Sequence, residues 1–224
     1  MPKELESKNT PIPVPEMAVL LYGAYREQFG HKPEMAALRL LLAHWAIETA
    51  DGKKTRCFNV GNVKYSSKRP SDFQYFTTHE YLDPSAVPSG GIVEKMVTVN
   101  GKQMAYVRFE RPHAACCFVA HETAEQGVEF FLSFLAERYK EAVAILEKGG
   151  SPTEYAQALR ARWYFTAPVD QYAVALSNAC NRLGKLDIPK DLDPEQVLGH
   201  VAMSLRSLSE ELMEEDRKDY NQNG

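Results

Sequence analysis

One glutamate stands out because its neighbours are apolar. Glu48 lies near the end of LLAHWAIETADGK, residues 41–53, next to Ile47 and one helical turn from Trp45. A carboxyl group held away from water prefers its neutral form, so its pKa rises and it still carries a proton near neutral pH. Such a group is suited to protonating a glycosidic oxygen. Glu48 is therefore the candidate general acid, with Trp45 as an aromatic wall; the simpler alternative is a solvated glutamate at a helix end.

The loop that follows carries amides that suit a sugar. In CFNVGNVKYS, residues 57–66, Asn59, Asn62 and the backbone beside Gly61 could form hydrogen bonds with hydroxyl or acetamido groups. Gly61 would permit a close backbone approach or a positive φ. The alternative is an ordinary turn capped by asparagines.

A second carboxylate lies in a predicted strand, YFTTHEYL, residues 75–82. Side chains alternate between the two faces of a strand, so Thr78, Glu80 and Leu82 share one face. If that face borders a cleft, Glu80 could activate water or stabilise positive charge on the sugar. If it faces solvent, Glu80 is an ordinary surface residue.

Two tyrosines lie in RWYFTAPVDQYAVAL, residues 162–176. Tyr164 precedes a Thr-Ala-Pro turn, where its hydroxyl is free to meet a ligand. Tyr172 begins an apolar helical stripe, so we expect it to be a core residue.

Other chemistries lack their signatures. HETAE, residues 121–125, has Glu125 where a zinc-binding HExxH helix needs its second histidine. No GxGxxG, phosphate-binding loop or GxSxG elbow occurs. The four cysteines form no CxxC pair, so we expect reduced thiols. The sequence predicts no metal and no cofactor.

Turn and cap residues divide the chain into helices, a small sheet and helices again. Pro15 and Gly30 bracket the first predicted helix, and Pro33 and Gly52 the second, which is apolar on nearly all sides. Asn100-Gly101 predicts a type I′ hairpin within a three-stranded antiparallel sheet over residues 71–110. Further helices are predicted over 121–148, 152–162 and 168–184. This order indicates an α+β domain with the sheet to one side.

Bulk properties exclude several classes of partner. The 224 residues carry a net charge of −4 and no basic stripe, so no nucleic acid is expected. No apolar run approaches the roughly 18–20 residues of a membrane span, so no membrane insertion is expected. The polar, proline-rich N-terminus has no secretory signal. We expect synthesis in the cytoplasm and release by lysis or a non-classical route, with phage association as one route.

Together, LLAHWAIETADGK, FNVGNVK, FTTHEYL and WYFTAPVDQYAVAL resemble, in order, the motifs of bacterial and phage N-acetylglucosaminidases. These are the peptidoglycan hydrolases of glycoside hydrolase family seventy-three, which includes the glucosaminidase domain of flagellar muramidases. The resemblance implies a mostly helical, lysozyme-like α+β domain whose small antiparallel sheet flanks an active-site cleft. It implies Glu48 as the acid, Glu80 as the sheet glutamate and Tyr164 as the tyrosine near the acetamido group.

The prolines near the start, the extent of the resemblance and the amphipathic pattern near the end together give the domain boundaries. We expect a flexible lead over 1–14, a glucosaminidase domain over 15–184, and an amphipathic helix with a polar tail over 185–224 that could dock a protein partner. The implied reaction is cleavage of the β-1,4 bond after N-acetylglucosamine in peptidoglycan glycan strands. Glu80 could serve as the base for water, or the substrate's acetamido group could attack instead. A non-catalytic glycan-binding or phage structural protein and a lytic transglycosylase remain as alternatives.

Overall fold

The computed structural model describes residues 1–99 and 101–184. Over these residues the chain forms six α-helices and five β-strands, which confirms the predicted α+β class. The helices are α1 Val14–Phe29, α2 Met35–Thr49, α3 Ala124–Arg138, α4 Lys140–Glu147, α5 Pro152–Ala161 and α6 Val169–Leu183. The strands are β1 Phe73–Tyr75, β2 Thr78–Leu82, β3 Ile92–Val99, β4 Lys102–Phe109 and β5 Cys117–Val119. No helix in the described part of the chain is both long and apolar enough to cross a membrane.

The first helix ends where its glycine predicts. Gly30 adopts the left-handed conformation with a φ of 76°, and its N–H donates to the carbonyl of Arg26. The second helix starts two residues later than predicted, because Glu34 is still extended. Glycine and proline therefore mark these helix ends to within a few residues.

Helix α2 is the centre of the helical core. Its buried side chains lie on nearly all sides, as the sequence predicts. Leu41, Leu42 and Trp45 are fully buried, and helices α1, α3 and α6 contribute residues to the same core. A helix enclosed in this way holds the side chains of its last turn in fixed positions.

The predicted helix over 121–148 is two helices, α3 and α4. Tyr139 leaves the helical conformation, with φ −124° and ψ 49°, and is only 3% exposed. Neither glycine nor proline marks this break. The prediction of one continuous helix is wrong because the packing of a buried tyrosine interrupts it. The two following helices are confirmed as α5 and α6.

The strands form two antiparallel sheets. The larger has the order β2-β4-β3, and Val99 pairs with Lys102 across the predicted hairpin. The type of turn rests on Asn100, which lies outside the described residues. The smaller sheet pairs β1 with β5, so the segment predicted as one strand is divided between two sheets. A small core of Ala105, Val107, Phe109 and Cys116 lies under the larger sheet.

The N-terminal lead is hydrogen-bonded to the domain through its backbone. We call residues 3–10 the N-terminal strap. Its backbone exchanges hydrogen bonds with Phe73, the first residue of β1, and with Thr55 and Cys57 in the loop after α2. Ile12, just after it, is 2% exposed. The predicted C-terminal helix over 185–224 lies outside the described residues.

Candidate active site

The end of α2 places Glu48 in its last turn. Thr49 Oγ1 donates to the carbonyl of Trp45 over 2.7 Å and accepts from the N–H of Gly52 over 3.0 Å. Ala50 then takes the left-handed conformation, with a φ of 52°. The chain turns away directly after Glu48, so the carboxyl stands at the exit of a buried helix.

Two side chains form hydrogen bonds with the Glu48 carboxyl. Tyr172 of α6 donates its hydroxyl to Oε1 over 2.7 Å, and Asn62 forms the second bond. Part of the Glu48 side chain reaches the surface, yet protein atoms crowd its carboxyl. Burial raises the pKa of Glu48 to about 7, although both hydrogen bonds pull that pKa down. A proton donor for a bound substrate needs this combination of partial access and a retained proton.

A buried histidine lies one helical turn before the acid. His44 is 0% exposed, and its Nδ1 lies 2.9 Å from the hydroxyl of Tyr155. Burial lowers the pKa of His44 to about 3, so the ring is neutral at ordinary pH. The rings of Tyr164 and Tyr172 pack edge-on against it. His44 thus joins α2 to the aromatic cluster beside Glu48 without adding a charge that would lower the pKa of that acid.

The two tyrosines occupy different positions from those expected. The hydroxyl of Tyr164 donates to the carbonyl of Gly61 over 2.7 Å. Its hydroxyl is therefore engaged by the backbone, which corrects the expectation that it is free to meet a ligand. Tyr172, which we expected to be a core residue, contacts the acid directly. Burial and the nearby Glu48 carboxyl hold the pKa of Tyr172 far above its usual range, so the phenol remains a donor.

The loop after α2 is built by its own polar groups. Both ends of the Asn59 amide bond the backbone of Val63, at 3.0 and 2.8 Å, and the residue is 5% exposed. This corrects the expectation that Asn59 binds substrate. Gly61 packs so closely on the ring of Phe131 that a Cβ would overlap it. The close approach at Gly61 is therefore to protein side chains, and the residue has no positive φ.

Asn62 is the loop amide that faces the site. It is exposed, has a φ of 49°, and hydrogen-bonds Glu48. Asparagine tolerates the left-handed conformation better than most residues. Of the three loop residues predicted to bind substrate, Asn62 alone is placed where a bound sugar could reach its side chain.

Trp45 does not line a cleft. It is 0% exposed, and its ring packs so closely on Gly52 that a Cβ there would nearly touch it. The predicted aromatic wall is wrong because Trp45 points into the helical core. Its indole N–H has no hydrogen-bond partner among the residues that the structure describes.

Glu80 is linked to the same loop through a lysine. Lys64 Nζ lies 2.9 Å from Glu80 Oε1 and donates to the carbonyl of Ala115, also over 2.9 Å. Asn62 and Lys64 are two residues apart, a span of at most about 7 Å of chain. One short loop therefore contacts the Glu48 carboxyl through one side chain and the Glu80 carboxylate through another.

Other features offer no competing chemistry in the described residues. Within residues 1–99 and 101–184, no group of three His, Cys, Asp or Glu side chains is arranged to hold a metal. A cavity of about 640 Å³ is lined by α1, α3 and residues such as Arg69 and His121, and by none of the residues around Glu48. The four cysteines are free thiols.

Among known proteins, similarity to this chain is found in solved structures. The chain matches no protein-family model and no curated protein. It is similar to a peptidoglycan hydrolase mutant from Sphingomonas sp. A1, at 21% identity over 81% of this chain and 99% of that one, with a TM-score of 0.44. The glycoside hydrolase domain of FlgJ from Salmonella typhimurium gives 18% identity, coverage of 85% and 94%, and a TM-score of 0.45.

A third similar structure is the catalytic domain of the autolysin Auto from Listeria monocytogenes. It gives 13% identity, coverage of 78% of this chain and 87% of that one, and a TM-score of 0.42.

Sequence reasoning missed two members of the site. His44 is four residues before Glu48, and that spacing alone places both on one helix face. Tyr172 carried no such signal, because only the packing of α6 on α2 brings it to the acid. The arrangement offers one proton donor, one donor hydroxyl bound to it, and a second carboxylate that is paired with Lys64 of the loop after α2.

Proposed function

We propose that this chain is a peptidoglycan hydrolase that cleaves the β-1,4 bond after N-acetylglucosamine in cell-wall glycan strands. One observation carries the proposal: Glu48 is a partly accessible carboxyl at the end of a buried helix, with a pKa raised to about 7. General acids work best when their pKa lies near the operating pH. The sequence motifs around Glu48 supply the substrate class.

The reaction starts with proton transfer from Glu48 to the glycosidic oxygen. The bond from that oxygen to the anomeric carbon breaks, and the leaving sugar departs as an alcohol. Water adds to the anomeric carbon, and its proton passes to a base. Glu80 is the candidate base, and the acetamido group of the substrate can instead attack first and be displaced by water. Tyr172 holds the Glu48 carboxyl in place through its 2.7 Å hydrogen bond.

The ion pair of Glu80 favours a second candidate reaction. Its carboxylate is already paired with Lys64 at 2.9 Å, whereas Glu48 has a raised pKa and, within residues 1–99 and 101–184, no cationic partner. A lytic transglycosylase uses one acid and closes an anhydro ring on the sugar without adding water. The two reactions give products that differ by one water molecule.

The test is cleavage of purified cell walls by the wild-type chain and by Glu48→Gln. We expect new reducing ends from the wild type and a loss of about 10²–10⁴-fold in the variant, because an amide cannot deliver a proton. Glu147→Gln, at the end of α4, is the matched control for a helix-terminal glutamate.

Mass spectrometry of the products separates the two reactions. Reducing sugars identify a hydrolase, and anhydro sugars identify a transglycosylase. Wild-type protein that binds walls but releases neither product would show a non-catalytic glycan-binding protein and overturn the proposal.

A further inference from the structure

The aromatic side chain of Trp163, in the turn between α5 and α6, is exposed. It is 72% exposed, whereas Trp45, the second of the two tryptophans in the chain, is 0% exposed. Tryptophan is a large apolar residue that is buried in most folded proteins. A ring left in water to this extent is unfavourable for the fold, so it calls for a role outside folding.

The backbone of Trp163 is also in a conformation that disfavours it. The N–H of Trp163 donates to the carbonyl of Arg160 over 3.0 Å, and the N–H of Tyr164 donates to that of Leu159 over 3.1 Å. These two bonds form a Schellman motif at the end of α5, with Trp163 at the left-handed position and a φ of 60°. Glycine usually occupies that position because a Cβ is strained there.

One face of the indole is fixed by a cation. The guanidinium carbon of Arg160 lies 4.2 Å from the centre of the Trp163 ring, within the range of a cation–π contact. This contact orients the ring and covers one face. The extent of exposure leaves the remaining surface of the ring accessible to a ligand.

The position along the chain relates Trp163 to Glu48. Trp163 directly precedes Tyr164, whose hydroxyl is bound to the carbonyl of Gly61. Asn62, which follows Gly61 in the chain, hydrogen-bonds the Glu48 carboxyl. The turn between α5 and α6 that carries the exposed ring is therefore bonded, through Tyr164, to the loop that contacts Glu48.

We propose that Trp163 is a stacking platform for a sugar ring of the glycan strand, at a subsite beside the bond that Glu48 cleaves. This inference rests on the proposed function. The C–H face of a pyranose ring is apolar and flat enough to cover an indole, while its hydroxyl groups remain in water. Such a ligand removes the apolar surface of Trp163 from water. The strained backbone is retained because it aims the ring outward.

The experiment measures glycan binding in the Glu48→Gln background, where the ligand is not cleaved. The ligand is a set of peptidoglycan glycan strands of defined length, freed of their stem peptides. We expect saturable binding by calorimetry and a change in tryptophan emission that comes from Trp163, since Trp45 is shielded from the ligand. Adding Trp163→Gly should weaken binding by about tenfold or more, and Trp163→Phe by much less, because a phenyl ring still stacks.

The glycine variant separates binding from folding. Glycine fits the left-handed position without strain, so the melting temperature of Trp163→Gly should be equal to or above that of its parent. If Trp163→Gly and its parent bind the glycan with equal affinity, Trp163 is not a stacking platform, and the proposed function is unaffected. If the wild type releases no sugar from walls and the Glu48→Gln protein binds no glycan, both proposals are overturned.

Discussion

Tyr172 donates a hydrogen bond to Glu48 over 2.7 Å, joining residues 124 positions apart in the chain. The phenol keeps its proton, because burial and the carboxyl of Glu48 raise its pKa. Its hydrogen bond favours the ionised form of Glu48 and so opposes the effect of burial on the pKa of that acid. The proton affinity of the candidate acid is therefore set by two opposed and separable effects.

Removing the Tyr172 hydroxyl should move the pH profile of activity. A general acid loses activity as the pH rises through its pKa, which is about 7 for Glu48. In Tyr172→Phe the lowering effect of the hydrogen bond is lost, so the pKa rises and the basic limb of kcat/KM should shift to higher pH. Tyr164→Phe is the matched control, because its hydroxyl bonds Gly61 instead. A basic limb that stays in place in Tyr172→Phe would contradict this account of the acid.

Tyr164→Phe should act on stability more than on turnover. The Tyr164 hydroxyl satisfies the carbonyl of Gly61, a buried residue. Losing such a bond costs about 0.5–1.5 kcal/mol, and up to about 3 kcal/mol where the remaining group is left unpaired. Chemical denaturation and kcat should be measured on the same preparation. A tenfold or greater loss of kcat with unchanged stability would instead support the role near the acetamido group that the sequence motif implies.

Glu80→Gln should reduce hydrolysis with little change in stability. The Glu80 and Lys64 side chains are 39% and 47% exposed, and ion pairs of this kind contribute about 0–1 kcal/mol. If Glu80 accepts the proton of water, the Glu80→Gln variant should release reducing sugars more slowly than the wild type. The loss should be smaller than that in Glu48→Gln. Glu94→Gln, which removes another ion-paired carboxylate of the same sheet, should leave the rate unchanged. Equal rates in both variants would make Glu80 a surface residue.

Glu48 should also affect how stability depends on pH. The folded chain holds its proton up to a pKa of about 7, whereas the unfolded chain releases it near 4.5. Between these values the folded state binds more protons, so this contribution to stability is present below pH 4.5 and is lost as the pH rises to 7. Each pKa unit corresponds to about 1.4 kcal/mol, and the partial exposure of Glu48 reduces the total.

The measurement is the unfolding free energy of the wild type and of Glu48→Gln across pH 4–8. Burial lowers the pKa values of His44 and His121 to about 3 and 4, and these groups act in the opposite direction in both proteins. The difference in unfolding free energy between the two proteins at each pH therefore gives the contribution of Glu48. We expect the variant to gain stability relative to the wild type as the pH rises from 4.5 to 7. A difference that stays constant over this range would show that the pKa of Glu48 is not raised.

Sequence patterns predict those parts of this fold that depend on local chemistry. Gly30 and Pro15 mark the ends of α1, and the apolar run around Leu41 and Trp45 marks a buried helix. The alternating residues on both sides of Gly101 mark the β3–β4 hairpin. In each case neighbouring residues determine the structure, so a single sequence contains the signal.

Tertiary packing decides the features that sequence patterns miss. The break at Tyr139 has no glycine or proline, and the pairing of β1 with β5 joins residues more than forty positions apart. The same limit applies to the site. Glu48 is found from its apolar neighbours, but Tyr172 reaches it only because α6 packs on α2, and Tyr164 is engaged by the distant carbonyl of Gly61. Trp45 is predicted to line the site because it is close to Glu48 in sequence, but its side chain points into the core.

The N-terminal strap has a consequence for the order in which the chain folds. Its residues are synthesised first, yet their backbone partners are Thr55, Cys57 and Phe73. Contacts over such separations must overcome the entropy of closing long loops, so they form late. Helix α2 needs only its own residues to begin winding, whereas β1 must wait for β5, which follows more than forty residues later, and β2 must wait for β4. During synthesis, the helix that carries Glu48 can therefore form well before β4 pairs with β2, the strand that carries Glu80.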